Sequence, residues 1–383
     1  MRIFPYTARD LYNWLANRDN ILLLDVRNGK DFTRFPVEGP YPFSMMNISY
    51  FDFMEIEEES VARLPAGTPV RVVCASEGSA KFVAEILANN GFDDVGYLEG
   101  GIKSWGNLLV PVQLTGQDEP FQLYQFIRPG KASCSYGLAF AGELMLFDPS
   151  RAIEVYQDFA RQKKLRLIRT CETHLQADYI AGSRLLVETT GCEMVANAHD
   201  FAGAKINYTP LQDGQTLPFS GAGPEVTVMF SPGHTPGSTS YLIDNRYLIS
   251  GDTVFLQSVG RPDLGGKVDE WSETLFNTLQ RVQQLDRGLL VLPGHYTSWQ
   301  EANSGLVFAA TLGEAIDHNR AIYAIDNPKD FLAFIKANMR EQPKEYAVIR
   351  RINANLEQVD DDKAEELDLG KNECAASARK GQG

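Results

Sequence analysis

The sequence is short of the features that mark secreted and membrane proteins. It has 5 cysteines in 383 residues, with no closely spaced pairs, which argues against a disulfide scaffold and for a reducing compartment. No apolar run reaches the roughly 20 residues that a membrane span requires. The first residues show no basic stretch followed by an apolar core, so we expect no signal peptide and a cytoplasmic location.

Positive charge is also scarce. The chain has 36 lysines and arginines against 50 aspartates and glutamates, a net charge of −14. Such a protein is repelled by nucleic acid and by anionic membranes, so we expect neither as a partner. A small anionic substrate remains compatible, because a metal ion and one arginine can create a local positive pocket. Hydrophobic residues make up 44% of the chain, which allows a sizeable core, and the length favours two or three domains.

Histidine is rare, and its placement is informative. Three of the 5 histidines stand in loops that follow apolar runs. His174 follows the run LRLIRTC, His234 lies in SPGHTPGS and His295 ends LPGH, while Asp252 ends ISGD in the same way. Loops at the ends of buried strands are where layered folds place their sites. We therefore expect these four side chains to meet.

The order His174, His234, Asp252 and His295 resembles the metallo-β-lactamase superfamily, whose first motif is His-x-His-x-Asp-His. The resemblance implies an α/β fold, the αβ/βα four-layer sandwich, over residues 122–358. Two histidines of the first motif are replaced here, by Gln176 and Tyr179. A two-metal hydrolase of this superfamily needs both, so a full dinuclear site is not expected.

The remaining set of His174, His234 and Asp252 has the composition of a mononuclear, non-haem Fe(II) site. It resembles the metal set of the persulfide dioxygenases, a branch that oxidises glutathione persulfide to sulfite. The segment VGRPDL resembles another segment of that branch, which implies that Arg261 holds an anionic part of the thiol carrier; the alternative is a surface salt bridge. We further expect Tyr296 to hydrogen-bond an intermediate.

Three further residues are expected close to the metal. Asp178 would orient a ligand or hold its loop. Gln176 would either bond a metal-bound water or simply pack. For His295 two roles stay open: it would either hydrogen-bond to a metal ligand or bind the metal directly.

Residues 1–110 predict a separate α/β domain. Two apolar strands, ILLLDV and PVRVVCA, and a helix over 80–90 form a βαβ pattern with a parallel sheet. Cys74 lies in the loop between strand and helix, where backbone N–H groups can stabilise a thiolate or a sulfur anion. LDVR, the cysteine loop and GG-x-x-x-W resemble the rhodanese domain, which implies that Cys74 carries a persulfide.

The cysteine loop departs from that family, because ASEGS contains no arginine and Glu77 adds negative charge. Two roles stay open for Cys74, a sulfur carrier and an inert cysteine, and thiosulfate as the sulfur donor stays open as well.

The rest of the chain gives three further predictions. We interpret residues 111–121 as a linker and Asp148 as the cap of the helix that follows it. Residues 359–383 are interpreted as a disordered polar tail, in which Cys374 has no role. The family resemblance also implies a homodimer or homotetramer.

The leading hypothesis is a persulfide dioxygenase that uses O₂ to convert a low-molecular-weight thiol persulfide into sulfite and free thiol, coupled to sulfur transfer on Cys74. The metal would serve as template and redox partner for both reactants. One alternative is a zinc-dependent thioester hydrolase of the glyoxalase II kind, and another is a non-catalytic sulfur-binding protein. The metal content, iron, zinc or none, separates the three.

Overall fold

A computed structural model describes residues 3–376 of the chain, which divide into two compact units. One unit holds the chain up to Val110 together with Arg128–Lys131 and Leu369–Lys371. The other holds Pro111–Ile127, Ala132–Asp368 and the residues from Asn372 onward.

The first unit is built on a sheet of five parallel strands in the order β1-β5-β4-β2-β3. The strands are β1 Phe4–Tyr6, β2 Leu22–Asp25, β3 Ser44–Asn47, β4 Val70–Val73 and β5 Val95–Leu98. The helices are α1 Ala8–Asn17, α2 Gly29–Arg34, α3 Tyr50–Glu55, α4 Glu57–Ala62, α5 Glu77–Asn89 and α6 Ile102–Gly106. Strands β2, β4 and β5 are buried along their whole length, as expected for a parallel sheet covered on both faces. The predicted parallel sheet is confirmed.

The second unit contains two sheets. The larger has the order β12-β11-β10-β9-β8-β7-β6, and the smaller has the order β13-β14-β15-β16-β17. The larger sheet contains β6 Val110–Gln113, β7 Gln122–Arg128, β8 Ser133–Phe140, β9 Glu143–Phe147, β10 Arg166–Cys171, β11 Glu193–Ala196 and β12 Thr209–Pro210. The smaller contains β13 Val226–Phe230, β14 Thr239–Ile243, β15 Tyr247–Gly251, β16 Leu290–Pro293 and β17 Ala310–Thr311.

Helices of the second unit accompany both sheets, so the predicted sandwich of strands and helices is confirmed. They are α7 Ile153–Lys163, α8 Ser183–Thr190, α9 Ala198–Phe201, α10 Val268–Val282, α11 Leu312–His318, α12 Arg320–Tyr323, α13 Pro328–Ala337, α14 Glu345–Asn353 and α15 Asp361–Asp368, with a 3₁₀ turn at Trp299–Glu301. Within residues 3–376, no helix combines the length and apolar character needed to cross a bilayer.

The prediction of a disordered tail at residues 359–383 is wrong for most of that segment. Residues 361–368 form α15, whose Ala364 and Leu367 pack against Ile180 and two isoleucines of α14. Cys374 is also buried, at 1% exposure. Ala364 and Leu367 are buried in this cluster, and their burial offsets part of the entropy of ordering the segment. Residues 377–383 lie outside the described part.

Two further expectations need correction. The predicted linker at 111–121 starts as strand, because β6 forms the edge of the larger sheet. Asp148 does not cap α7, which begins at Ile153 without a side-chain cap. Asp148 instead has a left-handed backbone, with φ of 52°, and its carboxylate accepts hydrogen bonds from the Thr173 amide and hydroxyl. The strand-end loop that carries His174 is thereby fixed.

Candidate metal centre

Four loops at strand ends build the centre. His174 follows β10, His234 follows β13, Asp252 directly follows β15 and His295 follows β16. All four side chains are buried, with 1–3% exposure. The structure therefore brings together the four residues that the sequence pattern singled out.

His174, His234 and Asp252 form a first cluster, in which one potential ligand atom from each lies within 4.8 Å of the others. The Nε2 atom of His234 is 3.5 Å from Asp252 Oδ2, and the Nε2 atom of His174 is 3.9 Å from the same oxygen. The two imidazole rings are nearly perpendicular, with centroids 5.0 Å apart. Two nitrogens and one oxygen thus face a common point.

The other ring nitrogens are held by the protein. His234 Nδ1 donates to the Arg261 carbonyl oxygen at 2.9 Å. His174 Nδ1 lies 2.9 Å from the Thr173 hydroxyl, which itself donates to Asp148 at 2.7 Å. Because Nδ1 carries the proton in both rings, the Nε2 lone pairs point to the cluster. This is the usual way in which outer partners prepare a histidine for a metal.

The charge states of the cluster suit ligation. Burial lowers the pKa of His174 to about 4, so its imidazole is neutral at pH 7. Burial opposes ionisation of Asp252, but the charge and hydrogen bond of His295, helped by His174 and His234, outweigh it and hold the pKa of Asp252 below its ordinary value. A neutral imidazole and an ionised carboxylate are the forms that bind metal.

The first cluster passes a direct test of fit to a cation. Asp252 Oδ2 is buried and accepts no hydrogen bond from any residue between 3 and 376. An ionised oxygen left in this state is costly unless a cation coordinates it. Two imidazoles and one carboxylate form the ligand set of non-haem Fe(II), so His174, His234 and Asp252 are the residues that would hold iron.

His295 lies between two carboxylates on the far side of Asp252. Its Nδ1 is 2.7 Å from Asp252 Oδ1, and its Nε2 is 2.9 Å from Asp178 Oδ2. Burial alone would lower the pKa of His295, but Asp178 and Asp252 together raise it to about 10. His295 thus lies between two carboxylates, and its hydrogen bond to Asp252 Oδ1 holds the ring.

Cys374 completes a second cluster with Asp178 and His295, again with ligand atoms within 4.8 Å of one another. Burial, with the Asp178 and Asp252 carboxylates nearby, holds the pKa of its thiol well above the ordinary value. Cys374 therefore lies beside the site, not in a disordered tail as the sequence predicted. No local pattern marks this cysteine in the sequence, since only the path of the C-terminal segment brings it to the site.

Backbone pairing holds the C-terminal segment in place. The amide of Arg261 donates to the Cys374 carbonyl at 2.9 Å, and the amide of Ala376 donates to the Val259 carbonyl at 2.8 Å. The side chain of Asn372 donates to the Ala132 carbonyl at 3.1 Å. The backbone of residues 259–261 therefore pairs with residues 374–376 through an isolated antiparallel bridge.

Arg261 is buried, and its guanidinium does not reach solvent. It is 3% exposed, forms an ion pair with Asp263 at 2.6 Å and donates to the carbonyl oxygens of Arg340 and Glu373. The surface salt bridge considered from the sequence is thus a buried one. Through its hydrogen bond to the Glu373 carbonyl, the guanidinium links the VGRPDL segment to the C-terminal segment within the second unit.

Tyr296 lies in an aromatic cluster. Its ring stacks on Phe308 with centroids 3.5 Å apart and packs against Trp299. It is 2% exposed, so the structure assigns its ring to the core.

The two residues that replace histidines make protein contacts. The amide nitrogen of Gln176 lies 3.4 Å from His174 Nδ1, and Gln176 also lines a cavity of about 30 Å³, room for a single water. The Tyr179 hydroxyl donates to the Asp148 carbonyl at 3.2 Å. Tyr179 therefore supports the loop that carries His174, at the position where the family has a histidine.

Cys74 occupies the expected loop of the first unit, between β4 and α5, and is 6% exposed. Burial raises the pKa of its thiol, although hydrogen bonds from the Ser76 and Ala75 backbone and the Ser79 side chain act in the opposite direction. The predicted hydrogen bonds that favour the Cys74 thiolate are present, but burial has the larger effect and the net pKa is raised. The Glu77 carboxylate turns back to accept from the Gly100 amide at 3.0 Å.

Both units match known domains. Residues 132–295 match the metallo-beta-lactamase superfamily, and residues 7–108 match the rhodanese-like domain. The chain is 30% identical over 191 residues to "Persulfide dioxygenase ETHE1, mitochondrial" of Bos taurus, which is 48% of this chain and 71% of that protein. The chain belongs to the metallo-β-lactamase superfamily. It combines that domain with a rhodanese-like one.

A relative whose name gives a different activity is similar as well. A hydroxyacylglutathione hydrolase of Haemophilus ducreyi is 33% identical over 171 residues, 44% of this chain and 66% of that protein. Among solved structures, ETHE1 from Myxococcus xanthus superposes with a TM-score of 0.51 at 22% identity, covering 64% of this chain and 99% of that one. This last likeness shows the fold alone.

Proposed function

We propose that this chain is a persulfide dioxygenase that acts on glutathione persulfide or a similar small persulfide at a mononuclear Fe(II) site on His174, His234 and Asp252. One persulfide, one O₂ and one water would yield one thiol, one sulfite and two protons. The observation that carries the proposal is the position of Asp252 Oδ2, which accepts no hydrogen bond from the described residues. The Nε2 atom of His234 lies 3.5 Å from this oxygen and that of His174 lies 3.9 Å from it. The similarity to persulfide dioxygenases of other organisms supports it.

A bound ferrous ion would supply the redox chemistry between persulfide and oxygen. The chain's own residues prepare the site for it. The Arg261 carbonyl and the Thr173 hydroxyl fix the two imidazoles, so the ligands need little reorganisation. Burial of all three ligands excludes bulk water, which favours reaction of the persulfide with O₂ over hydrolysis.

The hydrolase alternative has support from the relative in Haemophilus ducreyi, but the site argues against it. A hydrolase of this superfamily uses the histidines that Gln176 and Tyr179 replace, to hold two metals and the attacking hydroxide. Gln176 and Tyr179 are both buried; the Gln176 amide nitrogen lies 3.4 Å from His174 Nδ1, and the Tyr179 hydroxyl donates to the Asp148 carbonyl. The two-metal site of a hydrolase therefore lacks two of its nitrogen ligands.

The rhodanese-like domain would add sulfur transfer on Cys74. The thiol lies at the end of β4 with two backbone N–H groups directed at its sulfur, the arrangement that also stabilises a persulfide anion. A donor persulfide would pass its outer sulfur to Cys74, leaving as the thiol, and a second thiol would receive that sulfur. Each exchange breaks one S–S bond and forms another, with no net oxidation.

The deciding experiment uses the full chain, loaded with Fe(II) without oxygen and then mixed with glutathione persulfide and O₂. We expect oxygen uptake with an equal amount of sulfite, loss of both in Asp252→Ala, and retention of both in Cys74→Ser. Zinc-loaded protein that hydrolyses a glutathione thioester, together with iron-loaded protein that takes up no oxygen, would overturn the proposal in favour of the hydrolase.

A further inference from the structure

Asp200 lies in α9, outside every motif that the sequence pattern singled out. Its carboxylate accepts three hydrogen bonds. Oδ2 accepts from the Leu175 amide at 3.0 Å and from the Thr235 hydroxyl at 2.7 Å, and Oδ1 accepts from the Gly237 amide at 2.7 Å. The donors belong to two different loops, one that follows β10 and one between β13 and β14. A single side chain therefore connects these two loops.

The same two loops carry the histidines of the first cluster. His174 directly precedes Leu175, and His234 directly precedes Thr235. We propose that Asp200 is a positioning residue for the metal centre, which holds the two loops at the separation that lets both imidazoles bind one metal ion. The inference rests on the ligand set of the proposed function. Asp200 would act on the ligands through the neighbouring residues that it binds.

The contacts of Asp200 fix the path of the chain as well as side chains, because two of its three donors are backbone amides. A second link joins the same segments, from the Thr239 amide to the Thr173 carbonyl at 2.8 Å. Links at two points restrict rotation of one loop against the other more than a link at either point. Metal ligands must be held to within about 0.5 Å of their productive geometry, so a small rotation is enough to weaken binding.

Gly237 leaves room for this carboxylate. A Cβ atom built on Gly237 would lie 2.5 Å from Asp200 Cγ and 2.7 Å from its Oδ1, which is closer than packed atoms allow. Any larger residue at this position must displace the carboxylate. Gly237→Ala therefore disturbs the link between the loops while Asp200 itself is kept.

The test is the affinity of the metal-free, full-length protein for Co(II), measured by competition with a chelator. We expect Asp200→Ala to bind Co(II) at least tenfold more weakly, the loss that follows removal of an outer partner of a ligating histidine. Asp200→Asn keeps the size but puts an amide nitrogen where an acceptor is needed, so it should lose affinity as well, as should Gly237→Ala. The visible absorption of bound Co(II) should change shape in all three variants, because the ligands are displaced.

Glu143 gives a matched control in the same unit. Its carboxylate also accepts from three donors, the Ser220 amide and hydroxyl and the Arg166 guanidinium. Glu143→Gln should lower the urea midpoint of the metal-free protein but leave the Co(II) affinity and absorption unchanged.

Two results would overturn the proposal. One is an unchanged Co(II) affinity in the folded variants of Asp200 and Gly237, and the other is an equal loss of affinity in Glu143→Gln. Neither measurement involves oxygen. Wild-type protein that binds iron but takes up no oxygen would instead overturn the dioxygenase proposal and leave the role of Asp200 standing.

Discussion

Asp252 faces His295 with one carboxylate oxygen and His234 with the other. Oδ1 lies 2.7 Å from His295 Nδ1, while Oδ2 lies 3.5 Å from His234 Nε2. A single carboxylate thus borders both clusters. Any change at Asp252 should therefore affect metal ligation and the orientation of His295 at once.

Asp252→Ala should abolish iron binding, because the site then loses its only anionic ligand and keeps two neutral imidazoles. Metal analysis after loading with Fe(II) and gel filtration is the measurement. Asp158→Ala, an exposed aspartate on α7, is the matched control and should retain iron. Iron retained with activity in Asp252→Ala would show that the assignment of the ligands is wrong.

Thr173→Val should weaken metal binding by roughly 10–100-fold, the usual effect of removing an outer partner of a ligating histidine. The Thr173 hydroxyl connects His174 Nδ1 to the Asp148 carboxylate, and valine keeps the shape without the hydrogen bonds. Competition with a chelator measures the affinity. Thr173→Ser keeps the hydroxyl and should stay close to the wild type; equal losses in both variants would contradict this role.

Arg261→Met should lower the free energy of unfolding by about 3–5 kcal/mol, since it leaves Asp263 buried without its partner. Both side chains of this ion pair are less than a tenth exposed. Urea denaturation gives the free energy. Arg161→Met removes an exposed ion pair with Asp158 and should cost at most about 1 kcal/mol. Similar values for the two variants would exclude a structural role for Arg261.

Cys74 should react with sulfur donors faster as the pH rises, with a midpoint above that of a free cysteine. Burial raises the pKa of its thiol, so only a small fraction is thiolate at neutral pH, and the thiolate is the nucleophile. The rate of alkylation of Cys74, followed by peptide mass spectrometry from neutral to alkaline pH, gives the midpoint. A midpoint at or below the free-cysteine value would mean that the backbone N–H groups dominate over burial.

Local patterns in the sequence predict much of the fold. The runs ILLLDV and PVRVVCA become β2 and β4, and the helix expected over 80–90 is the C-terminal part of α5. The three members of the first cluster were also accessible from the sequence, because each stands in a loop close behind an apolar strand. Alternation of side chains and turn chemistry are local properties, which is why a single sequence reveals them.

The roles of Asp148, Arg261 and Cys374 were decided by tertiary structure alone. Asp148 and Thr173 are 25 positions apart, and Arg261 and Cys374 are further apart still. The composition of residues 359–376 favours disorder, and it gives no sign of the surface that receives them. Whether a polar segment orders depends on complementary groups elsewhere in the fold, and here those are the backbone of residues 259–261 and the buried cluster of Asp178 and His295.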